Sequence, residues 1–486
     1  MSLNQIYQPS LSLLTDLYQL TMAYGYWKNG DADRQSVFHL FFRKNPFKGG
    51  YAVAAGMETV AQYMQQFSFS DDDISYLRTL TGNDGKSLFE VSFLNYLAAM
   101  TPAVEIESVE EGTIVFPHQP ILRVRGPLLQ SQLLETALLN IVNFQTLIAT
   151  KSARICRAAA GQDVLEFGLR RAQGIDGALS ASRAAFIGGA AATSNVLAGK
   201  IFGIPVKGTH AHSWVMSFDD EQTAFERYAA AMPNNCVFLV DTYDTLEGVK
   251  KAIAVGKRLR ERGQEMVGIR LDSGDLAFLS IEARKLLDDA GFPDAVIVAS
   301  NDLDEHLIGS LRHQGAQIAL WGVGTKLATA FDQPALGGVY KLGALQDADG
   351  NWQPKVKLSE QLIKVSTPGL LQVRRYFDDK VARADMVYSE LFDLPETCVI
   401  VDPHDPSRRR EHGKEFAFED LLKPIVNGAR SRSWPTLPEV RQRVKDQFNL
   451  FHESILRLDN PHGYPVGLEQ QLHEQKLAMV HKLRND

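Results

Sequence analysis

The sequence predicts an α/β protein: an irregular β/α barrel over residues 129–334, an α+β domain from residues 1–128 plus about 335–400, and a mostly helical carboxy-terminal extension over 401–486. Three observations carry this. From Leu129 to Leu320, short apolar segments alternate with amphipathic stretches long enough for a helix, the signature of β/α units on a parallel sheet. Nearly every apolar segment ends in polar residues suited to a ligand. An open doubly wound sheet collects its ligand mainly at one switch point, whereas a barrel gathers all its strand ends around one mouth, so the pattern favours a barrel. Outside this region the rhythm is absent.

Taken in order, Leu13, Leu14, Leu17, Leu20 and Tyr24 fall at helical spacing behind Thr15, a possible cap. Val37–Phe42 and Tyr51–Ala55 then resemble two strands joined by the turn-rich basic link Arg43 to Gly50, and Ile106–Val115 and Ile121–Val124 add further strands. A helix carrying Leu133, Leu134, Ala137, Leu138 and Ile141 runs toward Ala153. The barrel strands are Val164–Phe167, Ile204–Val206, Cys236–Val240, Met266–Ile269, Ala295–Ala299 and Ile318–Leu320. After Phe331 the rhythm stops. Val339–Leu342 and Lys355–Leu358 read as strands returning to the first layer, Pro403–Arg410 as a solvated loop, and Leu437–Leu458 and the end from Leu468 as a terminal appendage.

Composition narrows the function classes. With 486 residues, 45% hydrophobic and 22% charged, the chain can bury a large core and divide into two or three domains. A formal net charge of -7 without a basic patch of convincing length argues against nucleic acid as a partner. No apolar run approaches the roughly 20 residues that cross a bilayer, and the start, Met1 to Ile6, lacks a basic stretch followed by an apolar block. Cys156, Cys236 and Cys398 are far apart with no metal-ligand spacing. A cytoplasmic protein with reduced thiols and no membrane partner is expected.

The strand ends hold the chemistry. Gly322-Val-Gly-Thr325 could wrap a phosphate with backbone N–H groups, Thr325 and Lys326 adding a hydroxyl and a charge, or could be only a tight turn. Asp272-Ser-Gly-Asp275 suits ribose hydroxyls or Mg2+, although Asp275 could equally cap the next helix. Arg170 and Arg171 directly follow a buried strand and call for an anion or a structural carboxylate. His210 and His212 admit a metal pair, a general base, a phosphoryl acceptor or a structural pair. No third His or Cys lies at short ligand spacing, so the metal is the weakest of the functional roles and no protein-built metal site is expected. Two rivals remain at this point: a metal-dependent lyase or hydrolase using both histidines with Asp241 or Asp272, and a non-catalytic nucleotide sensor.

Six segments in order, Thr15 to Met22, Phe42 to Phe47, Glu166 to Arg171, Gly208 to Ser213, Arg270 to Asp275 and Gly322 to Thr325, resemble the nicotinate phosphoribosyltransferase family over most of the chain. The resemblance implies a phosphoribosyltransferase-type barrel whose α+β domain covers the site. It implies transfer of a phosphoribosyl group from phosphoribosyl diphosphate to nicotinate, giving nicotinate mononucleotide and diphosphate. ATP would be a co-substrate, with Mg2+ accompanying ATP and the diphosphate. His212 would be transiently phosphorylated, and catalysis would rest on His212, Asp272 and Arg171. Phe167 and Tyr18, the latter from the neighbouring subunit of a homodimer with shared sites, would sandwich the pyridine ring. Arg170 and Arg171 would face the nicotinate carboxylate and the diphosphate. Asp272 and Ser273 would hold the ribose, Gly322, Gly324 and Thr325 the 5'-phosphate, and Asn301 with Ser300 would add contacts. Thr193-Ser-Asn195 is neutral where a relative using nicotinamide carries a carboxylate, which favours the acid. His210 and Lys48 are not fixed parts of the family's pattern.

Overall fold

The computed structural model describes residues 10–361, 364–403 and 405–485, so the reading of Met1 to Ile6 falls outside the described residues. The chain forms two compact units, one from residues up to Thr146, Ala335–Thr436 and the part from Gln442 onward, the other from Leu147–Pro334 with Leu437–Arg441.

The second unit is organised by a six-stranded sheet in which every neighbouring pair is parallel. Its order is Ala192–Thr193, Asp163–Glu166, Leu320–Val323, Val296–Ala299, Gly268–Leu271 and Val237–Leu239. The first strand in sequence therefore lies beside the last, which is the winding of a barrel and not of an open doubly wound sheet. The barrel is irregular because Ile204–Val206, expected as a full strand, contributes only one parallel bridge, from Val206 to Thr193. The two-residue strand Ala192–Thr193 was not foreseen.

Asp220, Asp244, Asp275 and Asp304 each cap the helix that follows, their carboxylates accepting backbone N–H groups of the first turn. Strand side chains such as Phe238, Ile269, Ile297, Trp321 and Val323 fill the core. Lys151 and Arg154 are buried as well, both paired with the buried Glu305, and Lys151 also with Asp332.

The first unit holds two larger sheets and a two-stranded one. One runs Trp352–Pro354, Gly338–Gln346, Gln35–Phe42, Leu122–Pro127, Glu105–Ser108, Lys423–Asn427 and Arg430–Ser431, all antiparallel. The other runs Arg409–His412, Cys398–Val401, Val466–Glu469, Val381–Ser389, Leu371–Asp378 and Ala417–Asp420. This corrects the expected mostly helical extension over 401–486. The helices Leu437–Phe448, Glu453–Leu456 and Gln470–Asn485 are present, but strands fill much of the remainder and join both sheets.

Four smaller expectations also change. The first helix starts at Leu17 behind Asp16 rather than near Thr15. The strand expected at Tyr51–Ala55 is shorter, Ala52–Val53, and pairs with Ile114–Val115. The strand expected at Lys355–Leu358 is Trp352–Pro354. Arg409 and Arg410 open a strand, with their side chains in solvent. Among the described residues no helix is long and apolar enough to cross a membrane, and no disulfide joins the cysteines.

Candidate active site

Side chains two apart on a strand share a face, so Arg270 and Asp272, at the end of Gly268–Leu271, can reach the same neighbours. Arg270 donates from Nη2 to Asp272 Oδ1 (2.9 Å), from Nε to Ser300 Oγ (2.8 Å) and from Nη1 to Thr209 Oγ1 (3.2 Å). The Ser300 hydroxyl also donates to Asp272 Oδ1. Burial opposes ionisation of Asp272, but Ser300 and Arg270, with His212 beside them, outweigh it and hold the carboxyl below its ordinary range. Asp272 is therefore a fixed negative charge at neutral pH.

His212 opens the short helix His212–Met216, its Nδ1 3.1 Å from Thr242 Oγ1 and its Nε2 3.7 Å from Asp272 Oδ2. Asp241, at the end of the next strand, accepts the Asp272 N–H (2.9 Å) and the Ser273 hydroxyl (2.6 Å) on Oδ2, while its buried Oδ1 has no partner among the described residues. The Ser273 hydroxyl donates to Asp241 and keeps its lone pairs for a ligand. Asp275 caps its helix by accepting from Ala277 and Phe278, which answers one question left open by the sequence.

On the other side of Arg270 lies Phe167, whose ring centroid is 5.8 Å from the guanidinium carbon. One edge of the ring lies against Gly322, where a Cβ would fall 2.7 Å from Cδ2 and 2.8 Å from Cε2. Gly168 is confined in the same way, since a Cβ there would lie 2.3 Å from Ala328 Cβ and 2.8 Å from Gly324 O. A methyl group would run into the Phe167 ring at Gly322 and into Ala328 and the Gly324 carbonyl at Gly168, so both positions favour glycine. The turn is fixed from below by Glu166, which is buried and accepts from Gly168 N–H, Ser182 Oγ (2.9 Å) and Thr193 Oγ1 (2.6 Å). Asn195 joins this network through Ser182.

Arg170 and Arg171 lie on the 3-10 turn Leu169–Arg171, both exposed, and among the described residues neither has an ion-pair partner. Gly324 precedes the short helix Thr325–Ala328, where Leu327 and Ala328 make the first bonds back to Gly324 O. Lys326 does not add its charge to this turn as expected, because its ammonium is held 2.5 Å from Asp304 Oδ2. Asn301 follows its strand at φ 109°, a conformation costly for a side chain other than glycine and of the kind found at functional sites. Tyr18 belongs to the first unit, on the helix Leu17–Lys28, with half its surface exposed.

The histidines separate. His210 is buried, its Nε2 accepts the Leu239 N–H (3.3 Å), and its ring meets Tyr228 edge-on at 4.8 Å. Burial, with Arg270 and His212 nearby, lowers its pKa to about 4. It is a neutral packed imidazole and forms no pair with His212. Among the described residues no group of three or more His, Cys, Asp or Glu is arranged to hold a metal ion.

Contacts thus link Asp272, Ser300, Arg270, Phe167 and Gly322 at the carboxyl ends of adjacent strands, with His212 reaching Asp272 from the start of its helix. Arg270, Thr242, Glu166 and Asp241 belong to this cluster although the sequence reading gave them no role in the transferase. The usable signal for Arg270 was its spacing of two from Asp272.

The sequence matches profiles of the nicotinate phosphoribosyltransferase N-terminal domain over residues 13–143, of the nicotinate phosphoribosyltransferase family over 163–380, and of its C-terminal domain over 372–476. It is 45% identical to nicotinate phosphoribosyltransferase of Bacillus subtilis, across 98% of this chain and 96% of that one. The crystal structure of human nicotinic acid phosphoribosyltransferase superposes with a TM-score of 0.84 at 31% identity, covering 96% of this chain and 99% of the other. The nicotinate-nucleotide pyrophosphorylase of Pyrococcus furiosus shares the fold, with a TM-score of 0.66 at 22% identity over 90% of this chain and 95% of its own. With its strand-end cluster and these relatives, the chain is an enzyme that belongs to the nicotinate phosphoribosyltransferase family.

Proposed function

We propose that this enzyme joins nicotinate to 5-phosphoribosyl-1-diphosphate, giving nicotinate mononucleotide and diphosphate for NAD biosynthesis, with ATP hydrolysis coupled through a phosphohistidine at His212. The observation that carries the reading is the convergence of a fixed carboxylate, a histidine and an aromatic ring on one set of strand ends.

The pyridine nitrogen forms a bond to the anomeric carbon as the bond from that carbon to diphosphate breaks, and the electron pair leaves with diphosphate. Charge of oxocarbenium type develops on the sugar, so the ionised Asp272 stabilises the transition state while Ser273 and Asn301 orient the ribose. Arg170 and Arg171, exposed and without a carboxylate, face the acid of nicotinate and the leaving group. Phe167 stacks on the pyridine, with Tyr18 of the partner subunit on its other face, in a homodimer that shares its sites. Gly322, Gly324 and Thr325 hold the 5'-phosphate. The neutral Thr193, Ser194 and Asn195 leave nicotinate unrepelled.

Mg2+ would accompany diphosphate and ATP and, when bound, would neutralise part of their charge. The donors fit such an ion: Asp241 Oδ1 is buried without a partner, and a hydrated Mg2+ needs only one or two carboxylates. In the ATP half-reaction, Thr242 holds Nδ1 of His212, leaving the Nε2 lone pair to attack the γ-phosphorus. The N–P bond forms, the bond to the β-phosphate oxygen breaks, and ADP leaves. Water later cleaves the N–P bond. The reaction is placed in the cytoplasm.

Incubation with γ-labelled ATP tests this. An acid-labile, alkali-stable label on the wild-type protein and none on His212→Asn is the expected result, with mononucleotide formation reduced but not abolished in the variant. Label retained by His212→Asn would remove the phosphohistidine from the proposal.

A further inference from the structure

We infer that His210 is a positioning residue: its imidazole pins the segment that carries His212 to the open edge of the parallel sheet by accepting the Leu239 amide hydrogen. The inference rests on the reading of His212 as the phosphoryl acceptor.

The barrel is open at one seam. The strand Val237–Leu239 pairs on one side with Gly268–Leu271. Across the seam, Ile204–Val206 reaches only the opposite edge, through Thr193. In a strand, successive N–H groups point to opposite sides, so Val240 donates inward to Arg270 O while Leu239 points out into the seam. Leu239 is buried, and an amide hydrogen there must find an acceptor. His210 Nε2 supplies it at 3.3 Å.

The imidazole is held from three sides. Tyr228 and Phe225 pack against it, with ring centroids 4.8 Å and 6.2 Å away. Accepting on Nε2 leaves the proton on Nδ1, which faces Ala211 O at 3.5 Å. A charged ring could not accept, and the burial that lowers its pKa keeps it neutral.

The position of this peg matters because residues 207–211 belong to no helix or strand. Beyond Lys207, whose N–H bonds to Thr193 O (3.0 Å), side-chain contacts hold this stretch: Arg270 Nη1 donates to Thr209 Oγ1 (3.2 Å), Leu239 N–H to His210, and Thr242 meets His212 at 3.1 Å. His210 is the one of these three anchored to strand backbone, and it lies two residues before His212. Without it, the segment keeps the Lys207 N–H bond to Thr193 O on one side and the Trp214 indole bond to Ala224 O on the other, but loses the strand-backbone anchor nearest the nucleophile, and misplacement of about 1 Å costs on the order of a hundredfold in a positioned reaction.

The test compares His210→Phe, which fills the space without an acceptor, with His210→Gln, whose amide oxygen can accept the Leu239 N–H. The readouts are labelling by γ-labelled ATP, mononucleotide formation without ATP, and melting temperature. Labelling is expected to fall about tenfold or more in His210→Phe and to return within about threefold of wild type in His210→Gln, with ATP-independent transfer within about twofold in both. Wild-type labelling in His210→Phe, loss of transfer in parallel with labelling, or no rescue by Gln would overturn the inference.

His212→Asn separates the two claims. Label surviving there but lost on changing His210 would make His210 the acceptor itself. If the wild-type enzyme takes no label, the ATP reading fails and the peg is judged by 15N-histidine spectra alone. One neutral imidazole with its proton on Nδ1, not titrating between about pH 5.5 and 8 and absent from His210→Phe, supports it, and a proton on Nε2 overturns it.

Discussion

Replacing Gly322 by alanine would put a methyl carbon 2.7 Å from Cδ2 and 2.8 Å from Cε2 of Phe167, and 3.4 Å from Ser300 Cβ. Carbon atoms rest roughly 3.5–4.0 Å apart, so the ring edge must retreat by about 1 Å. The Phe167 backbone cannot follow, since its N–H is bonded to Val323 O at 2.8 Å, and the ring must leave its rotamer. Overpacking of this kind costs about 1–3 kcal/mol, which lowers the melting temperature by several degrees. If Phe167 forms one wall for the pyridine, the same displacement raises the KM for nicotinate on the order of tenfold to a hundredfold while moving the KM for phosphoribosyl diphosphate much less. Gly177→Ala is the control, because a Cβ there meets nothing within 4 Å. Steady-state rates of mononucleotide formation, with each substrate varied in turn, give both constants. A nicotinate KM within about twofold of wild type, or two constants rising together, would refute the stacking role of Phe167.

Two further outcomes are expected. His39 is buried, accepts the Leu371 N–H at 3.1 Å, and burial lowers its pKa from the usual 6.5 to about 3. The unfolded chain therefore binds a proton that the folded chain refuses, so stability is full above about pH 6.5 and is lost as pH falls, by about 2 kcal/mol at pH 5 from this one residue. His210, lowered to about 4, adds a slope of the same sign, and unfolding measured against pH should lose about half of the combined slope in His39→Gln. Separately, mixing Tyr18→Ala with Asp272→Ala chains should restore part of the activity that each lacks. No restoration after subunit exchange would count against a site shared between two copies.

The second unit was legible because its buried strands are continuous apolar runs that end abruptly in polar residues. Gly168-Leu-Arg-Arg171 and Asp272-Ser-Gly-Asp275 mark strand ends in the sequence as they do in the fold. Ala192–Thr193 was not legible, since two residues carry no period. The sheet in the carboxy-terminal half was hidden for a different reason. Leu371–Asp378 and Val381–Ser389 carry Arg375 and Asp385 at buried positions, paired at 2.7 Å with Tyr464 also bonded to Asp385, so charge interrupts the apolar alternation. In the site, residue types alone could not divide the work of two histidines. His210 and His212 differ only in what surrounds them, an aromatic pocket and a strand amide for one, a hydroxyl and a carboxylate for the other. Lys326 was misread for the same reason, because nothing in sequence spacing reveals that Asp304 takes its ammonium.

The most direct test of the central claim offers the purified protein nicotinate and nicotinamide together with phosphoribosyl diphosphate and Mg2+, with and without ATP, and follows both mononucleotides and diphosphate. The account predicts nicotinate mononucleotide and diphosphate in equal amounts, faster with ATP, and little of the amide product. Preferential use of nicotinamide, or no mononucleotide at all, would contradict it.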